Sequence, residues 1–243
     1  MKIVDATWEK RNLGVDVIEV SCAENDSAEE LADTLKGINT PYSVVKIPSG
    51  CISLLFKAQQ EGYRVIELSF EIQGDIRRIH TPEIYERFIK HITMEKAEGL
   101  ILERVLDEIK RGEIFKTDRI AIDPFFSTEI AGQRYYNWSR DILEDGGFMG
   151  VLYYKEQPVA FNLSILSKDG NGISDGILGG LLPEAPNLGL GFLVVHAENE
   201  ICRILHGKHC LGRVSSNNLP ILRLHTQFGY EIKNATYILV KHR

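Results

Sequence analysis

One stretch near the end of the chain, residues 213–240, constrains the fold more than any other. It reads RVSSNNLPILRLHTQFGYEIKNATYILV. Ile221, Leu224 and Phe228 recur at helical spacing, and the polar residues before them are of the kind that caps a helix. Gly229 follows and can adopt the left-handed conformation that ends a helix. The stretch therefore predicts a strand, a short helix, a glycine turn and a second strand.

The same pattern occurs earlier in the chain. Residues 46–72 align with residues 213–239 without a gap when the sequence is shifted by 167 positions, and five positions are identical. Gapless agreement through two strands and a helix favours an internal duplication over two unrelated units that obey the same turn rules. The identical pairs are Ser49/Ser216, Leu55/Leu222, Gln60/Gln227, Gly62/Gly229 and Tyr63/Tyr230.

Composition and charge limit the classes of protein to consider. The chain has 243 residues, of which 44% are hydrophobic and 26% charged, as in folded globular proteins. A net charge of −6 disfavours a general nucleic-acid surface, which needs clustered Lys and Arg. No uncharged apolar run reaches the roughly 18 residues of a membrane span, and the first residues lack a signal peptide's apolar core. We therefore expect a cytoplasmic protein without nucleic-acid or membrane partners.

Two cysteines and two histidines lie close together in sequence, at Cys202, His206, His209 and Cys210. Zinc sites usually draw paired ligands from two separate turns, whereas these residues span the expected end of a helix. Basic side chains there also suit the negative end of the helix dipole. We expect a helix terminus here and no metal cofactor.

The chain divides into two regions near residue 113. Residues 74–113 are charged and mostly helical in pattern, and we interpret them as a solvated two-helix connector. From Phe115 onward the hydrophobic pattern changes several times. It predicts a strand over 118–123, a helix over 129–144, three consecutive antiparallel strands over 149–154, 159–166 and 172–182, and a helix over 190–205.

A second motif follows the third of these strands. Residues 181–191 read LLPEAPNLGLG, which places Gly189 and Gly191 at the start of the next helix. Backbone N–H groups at a helix N-terminus are unpaired, and glycine lets a pyrophosphate approach them. A tight turn between strand and helix would explain this pattern equally well.

Together and in this order, the two motifs resemble those of the GNAT N-acetyltransferase superfamily. Its last helix and strand are commonly written N-x-x-A-x-x-L-Y-x-x-x-G-[FY]. Asn218, Leu224 and Gly229 match that pattern, while Ile221 replaces the Ala and His225 replaces the Tyr. Its cofactor loop reads apolar-x-Pro and then [RQ]-x-x-G-x-[GA], with proline in place of Arg or Gln in this chain.

The resemblance implies an α/β fold with a mixed, largely antiparallel central sheet flanked by helices. Residues 114–243 would form a GNAT-like domain. Residues 1–113 would hold a degenerate partial GNAT-like domain and the helical connector. Because His225 corresponds to Ala58 in the first copy, the second copy is the one expected to be active.

The resemblance also implies acetyl-CoA as co-substrate and acetyl transfer to the primary amine of a small molecule. His225 would protonate the departing thiolate, and the backbone N–H of Leu182 would stabilise the oxyanion. His225 on an apolar stripe is equally explained as a hydrogen-bonded core residue. Asp175 and Glu184 are candidate bases near the cleft. The residues expected to bind acetyl-CoA are Leu182, Asn187, Leu188, Gly189, Leu190, Gly191 and Asn218.

The acceptor would bind to Tyr135, Asn137 and Trp138 on the long helix, with Asp175 nearby. The run RYYNW and the terminal ATYILVK resemble segments of bacterial dTDP-fucosamine acetyltransferases, which acetylate a nucleotide-linked amino sugar. The alternative is a non-catalytic acyl-CoA-binding protein that retains the fold, motivated by the proline in the cofactor loop and by His225. The residues leave open whether the chain forms a homodimer.

Overall fold

Ten strands form one sheet in the computed structural model, which describes residues 1–185 and 189–243. None of the helices it describes is long and apolar enough to cross a lipid bilayer. The strands are β1 (Lys2–Asp5), β2 (Val17–Ser21), β3 (Tyr42–Pro48), β4 (Arg64–Asp75), β5 (Ile92–Lys96), β6 (Phe148–Tyr154), β7 (Gln157–Leu166), β8 (Ile173–Leu181), β9 (His209–Ser215) and β10 (Glu231–His242). The helices are α1 (Thr7–Leu13), α2 (Ala28–Gly37), α3 (Ile52–Gln60), α4 (Glu83–Ile89), α5 (Gly99–Lys110), α6 (Arg119–Ile122), α7 (Thr128–Glu144), α8 (Phe192–Ile204) and α9 (Leu219–Gln227).

The sheet is mixed and mostly antiparallel, which confirms the predicted fold class. Its order is β1-β2-β3-β10-β4-β9-β8-β7-β6-β5. Among the described strands, only the pairs β2–β3 and β8–β9 run parallel. Side chains alternate between two apolar cores: Leu152 and Ala160 lie in the core that contains α8, whereas Val151 and Phe161 lie in the core of α5 and α7. Helices therefore cover both faces.

Two of the predicted elements are wrong. Residues 118–123 contain the short helix α6 and no strand, because the Asp118 carboxylate caps the helix by accepting a hydrogen bond from the Ile120 N–H at 3.0 Å. Residues 74–113 are not a connector of two helices alone. The strand β5 lies between the helices α4 and α5 and pairs with β6. β5 takes the place of the strand predicted over 118–123. From β5 onward the chain then has the expected order of strand, helices, three strands, helix, strand, helix and strand.

The two strand–helix–strand units of the repeat have matching boundaries. Each element of β3-α3-β4 begins and ends 167 residues before its counterpart in β9-α9-β10. Gly62 and Gly229 take positive φ angles of 88° and 95° after the helices, and the tyrosines that follow them, Tyr63 and Tyr230, are both buried. The predicted order of elements in the first unit is confirmed.

The repeat also governs how the strands pair. β10 lies between β3 and β4, and β4 lies between β10 and β9, so each unit accepts a strand from the other. Ser69 faces Ser215 in β4–β9, and its counterpart Thr236 faces Pro48 in β10–β3. Because Ser69 also faces Thr236, a local twofold axis passes through this pair. Strands from 1–113 and 114–243 thus alternate, and the boundary near residue 113 stays a prediction.

A buried ionic cluster joins the early and late parts of the chain. Arg119 Nη2 lies 3.3 Å from Glu9 Oε1 and 3.1 Å from Glu19 Oε1. Arg134 also binds Glu9, and Lys46 binds Glu19. Burial alone would raise the pKa of both carboxyl groups, but the arginines, with Lys46 beside Glu19, outweigh burial and lower both pKa values.

This lowering predicts a stability contribution that is lost in acid. A carboxyl group with a lower pKa in the folded chain stabilises the fold above its unfolded pKa, and the contribution disappears as pH falls through the folded pKa. The unfolding free energy of the parent should therefore exceed that of Glu9→Gln most strongly above about pH 5. Urea unfolding between pH 7 and pH 3 measures this difference, which should narrow below pH 5. If the difference in unfolding free energy between the parent and Glu9→Gln is the same from pH 7 to pH 3, the lowered pKa of Glu9 is contradicted.

Candidate active site

The sheet opens between β8 and β9. The two strands pair from Ile173–His209 to Gly176–Gly212, and β8 then continues to Leu181 without β9 beside it. In the first unit the equivalent strands β2 and β3 stay paired one position further, to Ser21–Lys46. β2 ends at that pair, whereas β8 runs five residues beyond its last pair with β9, so the opening described here lies in the second unit. It holds a cavity of about 270 Å³ that is lined from both faces of the sheet.

A β-bulge lies at this opening. Leu178 faces Leu163 and Gly176 faces Ser164, which leaves Ile177 without a partner residue in β7. Bulges re-aim backbone groups and are frequent beside active sites. From Ile177 onward, β8 presents backbone along the cavity where β9 has diverged. Such an edge can bind the amides of an extended ligand as an added strand would.

One wall of the cavity is a buried hydrogen-bond network on α8 and α9. His225 Nδ1 lies 2.8 Å from the Ile221 carbonyl oxygen, and Nε2 lies 3.2 Å from Glu198 Oε2. The Tyr230 hydroxyl donates to Asn199 Oδ1 at 2.6 Å and lies 3.2 Å from Glu198 Oε1. Burial, reinforced by the Glu198 carboxylate, raises the pKa of Tyr230 well above its ordinary value. Tyr230 is thus a hydrogen-bond donor that keeps its proton.

The ring of His225 lies between two hydrogen-bonding groups. Both partners of the ring, the Ile221 carbonyl and the Glu198 carboxylate, are hydrogen-bond acceptors. Both contacts are satisfied when the ring is an imidazolium, or when Glu198 carries the proton instead. His225 therefore has an exchangeable proton at a position that lines the cavity. Glycines make room for this carboxylate, since a Cβ on Gly176 would lie 2.7 Å from Glu198 Cδ.

The opposite wall is aromatic and acidic. The rings of Phe115 and Tyr135 have centroids 4.4 Å apart, and Trp138 follows Tyr135 at 6.2 Å. Asp118 and Glu67 line the same cavity. Burial raises the pKa of Glu67, and the negative charge of Asp118 raises it further. The hydrogen bond from the Ser215 hydroxyl acts in the opposite direction and lowers this pKa. A cationic amine would find carboxylates and ring faces here.

The glycine motif leads into α8 at the end of the cleft. Gly189 has a φ of +68°, and no atom of the described residues lies within 4 Å of a Cβ built on it. Gly191 is the N-cap residue of α8. Leu190 between them has its side chain in the apolar core. The predicted cofactor residues Asn187 and Leu188 lie outside the described residues.

Four of the predicted site residues meet at the cavity, one of them as a helix cap. Asn218 accepts a hydrogen bond from the Ile221 N–H at 3.4 Å and lines the cavity. The other three are His225, Tyr135 and Trp138. Two polar residues, Asn218 and His225, and two aromatic rings, Tyr135 and Trp138, therefore line the same cavity.

Four predicted residues are engaged elsewhere, and Leu182 is the clearest correction. Its N–H already donates to the Val159 carbonyl at 2.9 Å, so it cannot stabilise an oxyanion, and its side chain is buried in the core. The amide of Asn137 bonds to Asn12 on α1. Asp175 is paired with Arg213 between β8 and β9. Glu184, considered as a base, is paired with Arg104.

Two functional candidates were missed by the sequence reasoning. Glu198 occupies the apolar stripe of α8 between Val194 and Ile201, and a carboxylate at such a position is a recognisable signal. Glu67 gives no comparable signal, because it reaches the cavity only through the pairing of β4 with β9. Within the part of the chain that the structure describes, no group of three or more His, Cys, Asp or Glu side chains could hold a metal ion.

Solved structures share this architecture. A GCN5-related N-acetyltransferase from Kribbella flavida matches with a TM-score of 0.59 and 14% identity, over 93% of this chain and 81% of its own. The chain has the GNAT fold. A tandem GNAT protein from the clavulanic acid biosynthesis pathway matches with a TM-score of 0.53 and 10% identity, over 88% and 68% of the two chains.

A third structure of the GNAT fold is part of a larger enzyme. The glucosamine N-acetyltransferase region of a fungal multi-domain GH3 beta-N-acetylglucosaminidase matches with a TM-score of 0.58 and 14% identity, over 81% of this chain and 25% of that one. No protein-family model matches the chain, and no curated protein matches its sequence. None of these three structures is named as a dTDP-fucosamine acetyltransferase, so that resemblance stays a prediction.

Proposed function

We propose that the protein transfers the acetyl group of acetyl-CoA to the primary amine of a small molecule. The observation that carries this proposal is the cavity at the opening of β8 and β9. It has an exchangeable proton at His225 on one side and an aromatic, acidic wall on the other. A thioester lying in the opening would have its sulfur and its carbonyl between these two walls.

The binding of acetyl-CoA would use backbone groups. The pantetheine amides would pair with the free edge of β8 beyond Gly176, and the thioester oxygen would accept from an N–H near the bulge at Ile177. The pyrophosphate would lie at the N-terminus of α8, where the positive end of the helix dipole attracts an anion. Gly189 leaves space for it.

The reaction needs two proton transfers besides the attack of nitrogen on the thioester carbon. The amine must be neutral when its C–N bond forms, and the sulfur needs a proton as the C–S bond breaks. His225, oriented by Glu198 and the Ile221 carbonyl, is the proposed proton donor to sulfur. The acceptor would enter as an ammonium ion beside Asp118. A sugar ring could stack on Trp138, and a nucleotide-linked amino sugar is the finer form of this proposal.

Calorimetry and a thiol-release assay test the proposal together. Acetyl-CoA and CoA should both bind, and thiol should appear when amino sugars, polyamines or amino acids are offered as acceptors. Binding without thiol release for any amine would favour the non-catalytic acyl-CoA-binding protein. A protein that binds neither acetyl-CoA nor CoA would refute both functions.

Replacing Gly189 with glutamate should abolish CoA binding, because a carboxylate would enter the pyrophosphate site. Gly170→Glu is the matched control, since Gly170 also has a positive φ, +76°, and open space around it, in the turn at the other end of β8. Each substitution costs about 1–2 kcal/mol of backbone strain. Calorimetry should show binding lost in Gly189→Glu and kept in Gly170→Glu. Equal CoA affinity in the two variants would contradict the cofactor placement.

A further inference from the structure

We infer that Glu67, which belongs to the first unit of the repeat, accepts the proton of the acceptor amine in the second unit. This inference rests on the proposed acetyl transfer. Its structural basis is the strand exchange, because β4 lies directly beside β9 and brings Glu67 to the cavity. The first unit, which lacks an opening of its own, would then supply a catalytic residue.

The pairing of β4 with β9 fixes where Glu67 lies. The strand register ends at Ser69–Ser215, and Glu67 is two residues beyond, on the same face as Ser69. Two hydrogen bonds hold this extension against the turn before α9. The Ser216 N–H donates to the Leu68 carbonyl at 2.8 Å, and the Leu68 N–H donates to Ser216 Oγ at 3.0 Å.

The other carboxylates around the cavity have fixed partners. Asp175 binds Arg213, and Glu198 binds His225. Asp118 accepts the hydrogen bond that caps α6. The hydrogen-bond partner of Glu67 is the Ser215 hydroxyl, which is neutral. Among the cavity carboxylates of the described residues, Glu67 is therefore the one that can take a proton without losing an ion pair or a helix cap.

Charged groups from several elements act on Glu67. Asp118 at the start of α6 adds to the effect of burial in raising the pKa of Glu67, while Arg119 and Arg134 oppose it. Both arginines have carboxylate partners of their own: Arg119 binds Glu9 and Glu19, and Arg134 binds Glu9. A carboxylate with a raised pKa is a stronger base, which suits proton transfer from an ammonium ion.

The proposed step balances in atoms and charge. The ionised Glu67 takes one proton from the ammonium group, and the neutral nitrogen attacks the thioester carbon. The C–N bond forms and the C–S bond breaks. The thiolate takes a proton from His225, and the second proton that nitrogen loses as the amide forms restores His225. Glu67 returns its proton to water, so each turnover releases one proton.

The test is the pH dependence of kcat/KM in Glu67→Gln. Near neutral pH we expect kcat/KM to fall about 10²–10⁴-fold, the usual contribution of a positioned base. The variant must wait for amine that is already neutral, so its rate should rise about tenfold per pH unit toward the pKa of the amine. Affinity for acetyl-CoA should not change. Glu67→Asp keeps a carboxylate, so it should recover part of the lost kcat/KM. Its pH profile should also regain the fall in rate at acidic pH that protonation of the base produces.

Glu71→Gln is the matched control. Glu71 lies on the same strand and face as Glu67, bound to the Asn234 amide at 2.9 Å, and should keep the parent profile. If the parent is active and Glu67→Gln has the same pH profile of kcat/KM, the role of Glu67 is refuted, whereas the proposed acetyl transfer is not. A uniform loss of rate with no change in the shape of the profile also refutes it, since that indicates a structural role. A parent that releases no thiol with any amine refutes the proposed function as well.

Discussion

Replacing His225 with phenylalanine is expected to lower turnover by about 10²–10⁴-fold while leaving acetyl-CoA affinity nearly unchanged. His225 is the cavity residue with an exchangeable proton on one ring nitrogen and a backbone carbonyl fixing the other. Phenylalanine keeps the ring volume but removes the proton donor to sulfur. Steady-state thiol release at saturating acetyl-CoA measures the loss, and calorimetry measures the affinity.

Two further substitutions separate catalysis from packing at this position. His225→Tyr should retain much of the activity, because tyrosine is the residue that the family pattern has there. His196→Phe serves as the matched control, since His196 is a half-buried histidine on α8 that bonds to Thr81 at 3.2 Å. Parent-like turnover in His225→Phe would leave His225 as a core residue only.

Replacing Arg119 with methionine is expected to destabilise the protein by about 3–5 kcal/mol. Arg119 is buried and contacts both Glu9 and Glu19. Its loss therefore leaves two buried carboxylates with less positive charge beside them. For a chain of this size the melting temperature should fall by about 10 °C, at about 2–4 °C per kcal/mol. Urea unfolding gives the free energy, and calorimetric melting gives the temperature.

The matched control for Arg119 is Arg111→Met. The Arg111 side chain is 67% exposed and its ion pair with Glu108 lies on one helix, so its loss should cost less than about 1 kcal/mol. Similar losses in the two variants would mean that burial does not strengthen the cluster. A stable Arg119→Met would show that the carboxylates are neutralised by Arg134 and Lys46 alone.

Much of the fold could be predicted because the repeat is local in sequence. The glycine after each helix and the tyrosine after each glycine fix a strand–helix–strand unit from neighbouring residues, and both copies keep that order. The strand predicted over 118–123 failed because six residues are too few to distinguish a single helical turn capped by Asp118 from an extended segment. β5 was missed because its five residues are mostly polar.

The site could be predicted only where its residues follow each other along the chain. His225 and Asn218 share a short helix, and Tyr135 and Trp138 share another, so spacing alone grouped each pair. Which strands lie side by side is a long-range property that hydrophobic periodicity does not encode. Glu67 was therefore beyond sequence reasoning. The role given to Leu182 failed for a related reason, since its N–H is bonded to a neighbouring strand.

The exchange of strands has a consequence for synthesis on the ribosome. Both neighbours of β4 are made late, because β4 ends at Asp75 whereas β9 and β10 begin at His209 and Glu231. Until then the edge of β3 and both edges of β4 have no partner, and such edges promote aggregation of nascent chains. Removal of β10 would delete a central strand of the sheet, the one that lies between β3 and β4. The strands that join the two halves of the sheet, β9 and β10, are therefore translated after all the strands that they join in the first unit.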